Sequence, residues 1–286
     1  MKKISDFKVT IVGLGLMGGS LALAIKPHCK SMTGMDKNPD ALRYAVNINC
    51  IDQGTDRLDE AVVDTDLVIL AVPVRKIMDI LGELKTLPAK ECIVMDIGST
   101  KRQINQQLSS LPDHFQVLGG HPLCGKETAG IQAADAGLFN RKNFILTPLP
   151  RTSQETLTFI QELIRLIGAE PIIMTPDRQD RATALVSHLP YLLACGLYNI
   201  AMQNEEQEPK IWEIASSGFK DTTRLASSDV EMMLDILLTN PDYIDEAIEI
   251  FTSQMEHFSK LIASEEDEKL RGILLSIQNH RNRIYQ

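Results

Sequence analysis

The chain has 286 residues and a net charge of −9, with 44% hydrophobic and 23% charged residues, a composition typical of a soluble globular protein. Its length allows a sizeable core and favours two domains, at about 150 residues per domain. The negative charge and the lack of a basic block argue against nucleic acid and anionic membrane surfaces as partners.

Cysteine usage and one apolar stretch bear on the location of the protein. The five cysteines are odd in number and contain no C-x-x-C pair, which favours reduced thiols in the cytoplasm over disulfides or a metal site. The segment from Thr183 to Gln203 is uncharged and long enough to span a bilayer. It contains His188 and Pro190 and has no second segment like it, so we expect a helix buried in a helical core.

The first elements of the chain place a glycine-rich loop between a strand and a helix. The strand Val9–Val12 runs into Gly13, Gly15 and Gly18, spaced as G-x-G-x-x-G, and a second strand ends at Asp36. In this pattern the glycines permit a tight turn, backbone approach to a pyrophosphate, and close packing of helix on strand. The helix N-terminus supplies N–H groups for the phosphates. We therefore predict a dinucleotide-binding site.

Asp36 also indicates which dinucleotide is bound. A carboxylate can accept hydrogen bonds from the ribose diol of NAD and would repel the 2′-phosphate of NADP, so we predict NAD, although Lys37 beside it weakens this preference. The predicted cofactor contacts are Gly13, Gly15, Leu16, Met17, Gly18, Asp36, Val72 and Pro73.

Strand-like apolar runs alternate with helical patterns through the first part of the chain. The predicted strands are Val9–Val12, Met32–Met35, Leu67–Val72, Ile93–Asp96, Gln116–Gly119, Asn143–Thr147 and Pro171–Met174, with a helix over Ser153–Gly168. Near-continuous apolar strands separated by helices indicate a parallel sheet covered on both faces. The predicted fold class is therefore α/β, with a Rossmann-like doubly wound sheet.

After Thr175 the strand pattern stops, and the remaining chain reads as helices with breaks near 204–209, 216–218 and 240–241. We predict a dinucleotide-binding domain at 1–175 and an all-helical domain for substrate binding and dimerisation at 176–286. A homodimer is expected because the helix at 183–203 carries more apolar surface than a small helical domain can bury.

Polar side chains fall where the strands end, which is where ligands bind in an open parallel sheet. The third strand ends in Val72 and Pro73, which could flank a flat ring, the fourth is followed by Ser99, and the fifth by His121. His121 is the candidate general base, because removing a hydride from a carbon that bears a hydroxyl requires that the hydroxyl proton leave too. It follows two glycines that would open space. Ser99 could bind the same hydroxyl or cap the next helix.

The helical part and one loop offer three further polar residues. His188 lies in the uncharged helix, where a structural core histidine is the simpler interpretation. Arg224 could bind a substrate carboxylate bidentately or form a salt bridge with Asp221 or another helix carboxylate. Glu127 is a solvated loop residue unless its loop folds over the site.

Five motifs resemble those of the prephenate and arogenate dehydrogenase family, in the same order. They are Gly-Leu-Gly-Leu-Met-Gly-Gly-Ser (13–20), Asp-Ile-Gly-Ser-Thr-Lys (96–101), Gly-Gly-His-Pro-Leu-Cys-Gly (119–125), Ser-His-Leu-Pro (187–190) and Ser-Gly-Phe-Lys-Asp-Thr-Thr-Arg (217–224). The resemblance spans essentially the whole chain. It implies a Rossmann-like domain, a helical domain that dimerises, and a role in tyrosine biosynthesis.

The family reaction is an NAD(P)-dependent oxidative decarboxylation of prephenate to 4-hydroxyphenylpyruvate. The resemblance implies that His121 is the base and that Ser99 binds the same hydroxyl. It also implies that Arg224 holds a substrate carboxylate, that His188 lines the same cavity, and that Glu127 belongs to a loop that gates access.

Departures from the family pattern leave the substrate open. Tyr191 stands where some members have a second histidine, and Lys126 where several have a threonine. Both positions should lie near the substrate side chain, so arogenate remains an alternative to prephenate.

Two other functions are alternatives to the dehydrogenation of prephenate or arogenate. β-Hydroxyacid dehydrogenases share the glycine loop but use a lysine on an interdomain helix, and the segment 183–203 contains no lysine. An NAD-binding protein without turnover would need no base, and the presence of His121 and Ser99 argues against it.

Overall fold

One eight-stranded sheet forms the centre of the first part of the chain in the computed structural model, which describes residues 3–285. The strands are β1 (Lys8–Val12), β2 (Ser31–Met35), β3 (Gln53–Thr55), β4 (Leu67–Leu70), β5 (Cys92–Asp96), β6 (Phe115–Pro122), β7 (Asn143–Pro148) and β8 (Glu170–Ile173). Their order across the sheet is β3-β2-β1-β4-β5-β6-β7-β8. The chain reverses direction across the sheet between β1 and β4, the switch point at which dinucleotides bind in such folds.

Helices cover the sheet and form the second part of the chain. In the described residues they are α1 (Leu16–Ile25), α2 (Pro39–Asn47), α3 (Leu58–Val62), α4 (Val74–Leu84), α5 (Arg102–Ser109), α6 (Gln154–Leu166), α7 (Pro176–Thr183), α8 (Leu189–Gln203), α9 (Ile211–Ile214), α10 (Ser217–Thr223), α11 (Val230–Thr239), α12 (Pro241–Ala263) and α13 (Asp267–Tyr285). A π-helical turn, Ala184–His188, joins α7 to α8.

The central strands are apolar throughout because both faces of the sheet are buried. Along β4, Leu67 and Ile69 pack into the hydrophobic cluster on one face, while Val68 and Leu70 pack into the cluster on the other. The alternation follows from the opposite orientation of successive side chains in a strand. The predicted α/β fold with a doubly wound sheet is confirmed.

Two features of the sheet differ from the sequence prediction. β3 was not predicted, because its three residues are polar or small and mostly exposed. β7 runs antiparallel to β6, whereas a parallel sheet was predicted. A parallel connection needs a crossover, usually a helix, and the loop from 123 to 142 contains only the short 3-10 turn Ile131–Ala133.

The helical part begins at Pro176, and helix boundaries fall at the predicted breaks near residues 204, 217 and 241. The division into domains at residue 175 stays a prediction. The continuous helix Pro176–Gln203 is long and apolar enough to cross a bilayer, but a single such helix is weak evidence of a membrane span.

The expectation that this helix is buried in a helical core is wrong for the single chain. Only 22% of its most apolar 18-residue stretch is buried, and Val186 and Ile200 are 76% and 61% exposed. The reason is that the hydrophobic cluster of the helical part is small. Its buried members are Ala184, Leu189, Ile244 and Ala247.

Candidate active site

The glycine-rich loop between β1 and α1 leaves room for a ligand. Gly13 has a φ of +95°, which side chains with a Cβ disfavour, and a Cβ on Gly18 would lie 1.9 Å from the Gly13 carbonyl oxygen. Nothing lies within 4 Å of the place where a Cβ on Gly15 would be. The loop runs into α1, whose first two residues are Leu16 and Met17. A pyrophosphate fits this open, N–H-rich helix start.

Asp36 lies beside this loop at the end of β2. Its Oδ2 accepts a hydrogen bond from the Leu14 amide at 2.7 Å and its Oδ1 from the Asn38 amide at 2.8 Å. Each oxygen keeps a lone pair for a ribose hydroxyl. Lys37 Nζ donates to the Asp56 carbonyl at 2.6 Å, so its ammonium is bound by the backbone. The other predicted cofactor residues flank the loop: Val72 would contact a Cβ on Gly13, and Pro73 precedes α4.

His121 lies within β6, not after it as predicted. β6 pairs with β5 only over Phe115–Leu118, and from Leu118 to Pro122 it pairs with β7. Pairing with β7 keeps the chain extended, so the last residues of β6 project past the carboxyl end of β5 and carry His121 there.

The two glycines before His121 do not open space, contrary to expectation. A Cβ on Gly119 would lie 2.2 Å from Thr147 Oγ1 and 2.4 Å from Asn105 Oδ1, and one on Gly120 would lie 2.8 Å from a backbone oxygen of β5. These glycines let neighbouring groups pack tightly against β6, which fixes the strand that carries the histidine.

Ser99 lies in the loop between β5 and α5, and the helical part holds this loop in place. Gln179 Nε2 donates to the Ser99 carbonyl at 3.1 Å. The Asp180 carboxylate accepts from the backbone amides of Lys101 at 2.7 Å and Arg102 at 2.8 Å. Asp180 therefore caps α5, and the alternative role of Ser99 as that cap is not seen.

A buried ion pair that sequence reasoning missed joins Lys101 to Asp96, and both side chains are fully buried. Burial, partly offset by the pairing, raises the pKa of Asp96 and lowers the pKa of Lys101. The sequence did contain one indication of this pair, because Asp96 ends a predicted strand and Lys101 follows five residues later. Gln179 and Asp180 gave no such signal, because polar residues in a helix normally face solvent.

The electrostatics of this centre keep His121 neutral. Burial, the nearby charge of Lys101 and the coupling to His188, which acts when His188 is protonated, lower the pKa of His121 to about 3. Its Nδ1 atom is buried and lacks a hydrogen-bond partner among the described residues, although part of the residue is exposed. A neutral imidazole with a free nitrogen can accept a proton.

His188 closes the π turn before α8 and is 1% exposed. Pro190 lacks an N–H group and interrupts the helical hydrogen-bond ladder here. Burial lowers the pKa of His188 to about 4, and its Nδ1 lies 3.3 Å from Asn240 Nδ2. His188 is thus a buried histidine, and it is also close enough to His121 to affect its pKa.

Glu127 and Arg224 meet at an exposed rim. Arg224 Nη1 donates to Glu127 Oε1 at 2.8 Å, with the side chains 63% and 82% exposed. The loop of Glu127 therefore folds across to the end of α10, and the alternative pairing of Arg224 with Asp221 is not seen. Tyr191 lies half-buried one turn beyond His188 on α8, where burial and a hydrogen bond to Cys195 raise its pKa.

Two protein-family models match this chain, over two segments that overlap. A model described as prephenate dehydrogenase, nucleotide-binding domain, matches residues 21–188, and one described as prephenate dehydrogenase, dimerization domain, matches residues 175–276. A prephenate dehydrogenase of Bacillus subtilis (strain 168) is 31% identical over 286 residues, which cover 99% of this chain and 77% of the relative.

Solved structures agree with these matches. Prephenate dehydrogenase from A. aeolicus, solved in complex with hydroxyphenyl propionate and NAD+, is similar with a TM-score of 0.91 and 31% identity, covering 99% of this chain and 100% of that one. Synechocystis arogenate dehydrogenase has a TM-score of 0.84 and 25% identity, covering 97% and 99%. From its sequence and its fold, the chain belongs to the prephenate dehydrogenase family.

Proposed function

We propose that this chain catalyses the NAD-dependent oxidative decarboxylation of prephenate to 4-hydroxyphenylpyruvate in tyrosine biosynthesis. The observation that carries the proposal is a neutral His121, with Nδ1 unpartnered in the described chain, at the sheet edge that also holds the dinucleotide loop. Family membership and the A. aeolicus complex support the same reaction.

The cofactor is NAD, which when bound accepts a hydride from the substrate carbon that bears the hydroxyl. Gly13, Gly15 and Gly18, with Leu16 and Met17 at the start of α1, bind the pyrophosphate. Asp36 holds the ribose diol, and Val72 and Pro73 flank the nicotinamide ring.

His121 takes the hydroxyl proton as the carbinol carbon is oxidised, and Ser99 hydrogen-bonds the same hydroxyl. The ring carboxylate then leaves as CO2, driven by aromatisation. The pKa of His121, about 3 in the free protein, rises when a doubly anionic substrate enters, because nearby negative charge stabilises the imidazolium. Substrate binding thus makes the histidine a stronger base.

Arg224 binds the side-chain carboxylate of the substrate in place of Glu127, with which it pairs at 2.8 Å in the free protein. Glu127 belongs to the loop that gates the cavity. His188 and Tyr191, on the same face of the helix, line the cavity wall.

A second candidate substrate is arogenate, which carries an ammonium group where prephenate has a keto oxygen. The specific observation is the Glu127 carboxylate beside Arg224, a pair that could bind a zwitterionic amino acid as well as a keto acid. The similarity to an arogenate dehydrogenase at 25% identity supports the same alternative.

We also infer a cytoplasmic homodimer. All five cysteines are free thiols, which suits a reducing compartment. The dimerization-domain match and the exposed apolar residues of α8, α11 and α13 support association of two copies.

The test is NADH formation, measured by absorbance, with NAD and each of prephenate, arogenate and 3-hydroxyisobutyrate. Prephenate should give the highest kcat/KM. A higher value with arogenate would reverse the assignment between the two ring acids, and turnover of 3-hydroxyisobutyrate alone would indicate a β-hydroxyacid dehydrogenase. No turnover with any of the three, together with NAD binding, would indicate a non-catalytic NAD-binding protein.

A further inference from the structure

Asn240 stands at a helix start but does not act as its cap. It precedes α12, and asparagine is among the best N-cap residues because its side chain can accept from the first amides of the helix. Here no side-chain cap hydrogen bond forms. The Asn240 side chain is instead fully buried, where its Nδ2 donates to the Asp180 carbonyl at 2.8 Å and lies 3.3 Å from His188 Nδ1.

The orientation of this amide is fixed by its neighbour. Exchanging the oxygen and nitrogen of Asn240 would set two oxygens 2.8 Å apart, because the Asp180 carbonyl can only accept. The nitrogen therefore faces Asp180, and its second hydrogen is directed to His188 Nδ1. A ring nitrogen that accepts a hydrogen bond carries no proton, so the proton of neutral His188 lies on the other nitrogen, Nε2.

We propose that Asn240 is a positioning residue that holds His188 as the neutral Nε2–H tautomer, so that His188 is a hydrogen-bond donor to the substrate and not a second base. The role toward substrate rests on the proposed function, whereas the tautomer does not. Among residues 3–285, none hydrogen-bonds His188 Nε2, which leaves that N–H free for a ligand.

His121 and His188 have different roles because their environments differ. His121 has an unpartnered nitrogen in the described chain and can accept the proton. His188 has its Nδ1 occupied by Asn240, and burial keeps the ring uncharged at pH 7. A donor without a net charge can bind a keto or hydroxyl oxygen of the substrate without adding a further positive charge near His121, whose pKa Lys101 already lowers.

The tautomer can be read directly from 15N chemical shifts of histidine-labelled protein without ligand at pH 7, with the His188 signal identified by its loss in His188→Gln. We expect the shift of an unprotonated nitrogen at Nδ1 and of a protonated nitrogen at Nε2. A protonated Nδ1, or averaged shifts that indicate both tautomers, would overturn the proposal regardless of which substrate the enzyme uses.

Asn240→Asp tests whether Asn240 causes this state. A carboxylate beside Nδ1 accepts where the amide donated, so the proton should move to Nδ1. Asn105→Asp is the matched control, because Asn105 is also buried and bonded to a backbone carbonyl, that of Thr147 at 3.0 Å, but contacts no histidine. The control should keep the wild-type His188 pattern. An unchanged pattern in Asn240→Asp would show that Asn240 does not set the tautomer.

Two substitutions of His188 keep the proposal testable if Asn240→Asp does not fold. The glutamine amide nitrogen can occupy the place of Nε2–H, whereas the shorter asparagine reaches only the place of Nδ1. We expect His188→Gln to keep KM for prephenate within about threefold and His188→Asn to raise it about tenfold, the effect of losing about 1.4 kcal/mol, with kcat changed less than KM in both. Equal KM values for the two variants would contradict the donor role. No turnover in the wild type would count against the proposed function and leave the tautomer result intact.

Discussion

The chemistry at residue scale depends on one buried centre in which burial suppresses protonation of His121 and His188, and a nearby positive charge adds to this effect at His121. Lys101 lies fully buried and paired with Asp96, and its charge is one reason that the pKa of His121 is low. The lysine therefore keeps the proposed base in its acceptor form before substrate arrives. A pair of this kind is costly to disrupt, since removing one partner leaves an uncompensated buried charge.

His121→Asn should lower kcat by about 100-fold or more, because the amide keeps the polarity of the site but cannot accept the hydroxyl proton. The NAD-binding loop lies on another strand and should be unaffected. Steady-state NADH formation gives kcat, and quenching of protein fluorescence on NADH binding gives the control. Turnover near the wild-type rate would remove His121 from the role of base.

The low pKa of His188 predicts acid sensitivity of folding. The unfolded chain binds a proton near the ordinary pKa of 6.5, while the folded chain does not until about pH 4. Above pH 6.5 the titration of His188 therefore costs the folded state nothing. As the pH falls from 7 to 5, this one residue lowers the free energy of unfolding by on the order of 2 kcal/mol.

Urea unfolding at the two pH values measures this loss, and His188→Gln should show a smaller loss than the wild type by that amount. His28→Gln, at an exposed histidine, is the control and should resemble the wild type. Equal losses in His188→Gln and the wild type would mean that His188 does not titrate abnormally.

At the scale of elements, the sequence predicted those whose patterns are local. Seven strands and the helix at 153–168 follow from apolar periodicity, and the glycine loop from its spacing. β3 could not be predicted because it gains its place only by pairing with β2. The antiparallel turn into β7 and the position of His121 within β6 also depend on pairing between distant segments. For the same reason, polar residues of α7 gave no hint that they hold the loop of Ser99.

Two carboxylates of the helical part cap helices of the sheet-containing part. Asp180 caps α5, and Asp235 accepts from the Arg75 amide near the start of α4 at 3.0 Å. α4 and α5 follow the strand ends that carry Val72 and Ser99. These hydrogen bonds to backbone amides hold the two parts of the chain together beside Val72 and Ser99.

Asp180→Ala should reduce the free energy of unfolding by about 2–4 kcal/mol, because the buried amide of Lys101 and the partly buried amide of Arg102 lose their acceptor. Asp229→Ala is the matched control, since Asp229 caps α11 within the helical part at an exposed position, and should cost about 1 kcal/mol. Urea unfolding at one protein concentration measures both. A loss no larger than that of the control would show that the Asp180 contacts add little to stability.

In the molecule as a whole, the sheet-containing part has a large hydrophobic core, whereas the helical part leaves much of its apolar surface exposed. The sheet buries hydrophobic clusters on both faces, but α13 has no buried residue, and α8 exposes much of its apolar surface. An exposed apolar surface of this extent is typical of an interaction site. We expect the exposed apolar side of the continuous helix Pro176–Gln203 to be buried between two copies in the homodimer proposed above.

Ile200→Asp should dissociate the proposed homodimer, because Ile200 is 61% exposed on α8 and an aspartate there would bury an unpaired charge at the interface. Light scattering coupled to size exclusion should give about twice the chain mass of 31.8 kDa for the wild type and a mass close to one chain for the variant. Val63→Asp changes a 58% exposed residue of the sheet-containing part and should leave the dimer intact. A monomeric wild type would rule out the dimer, and a dimeric Ile200→Asp would place the interface away from α8.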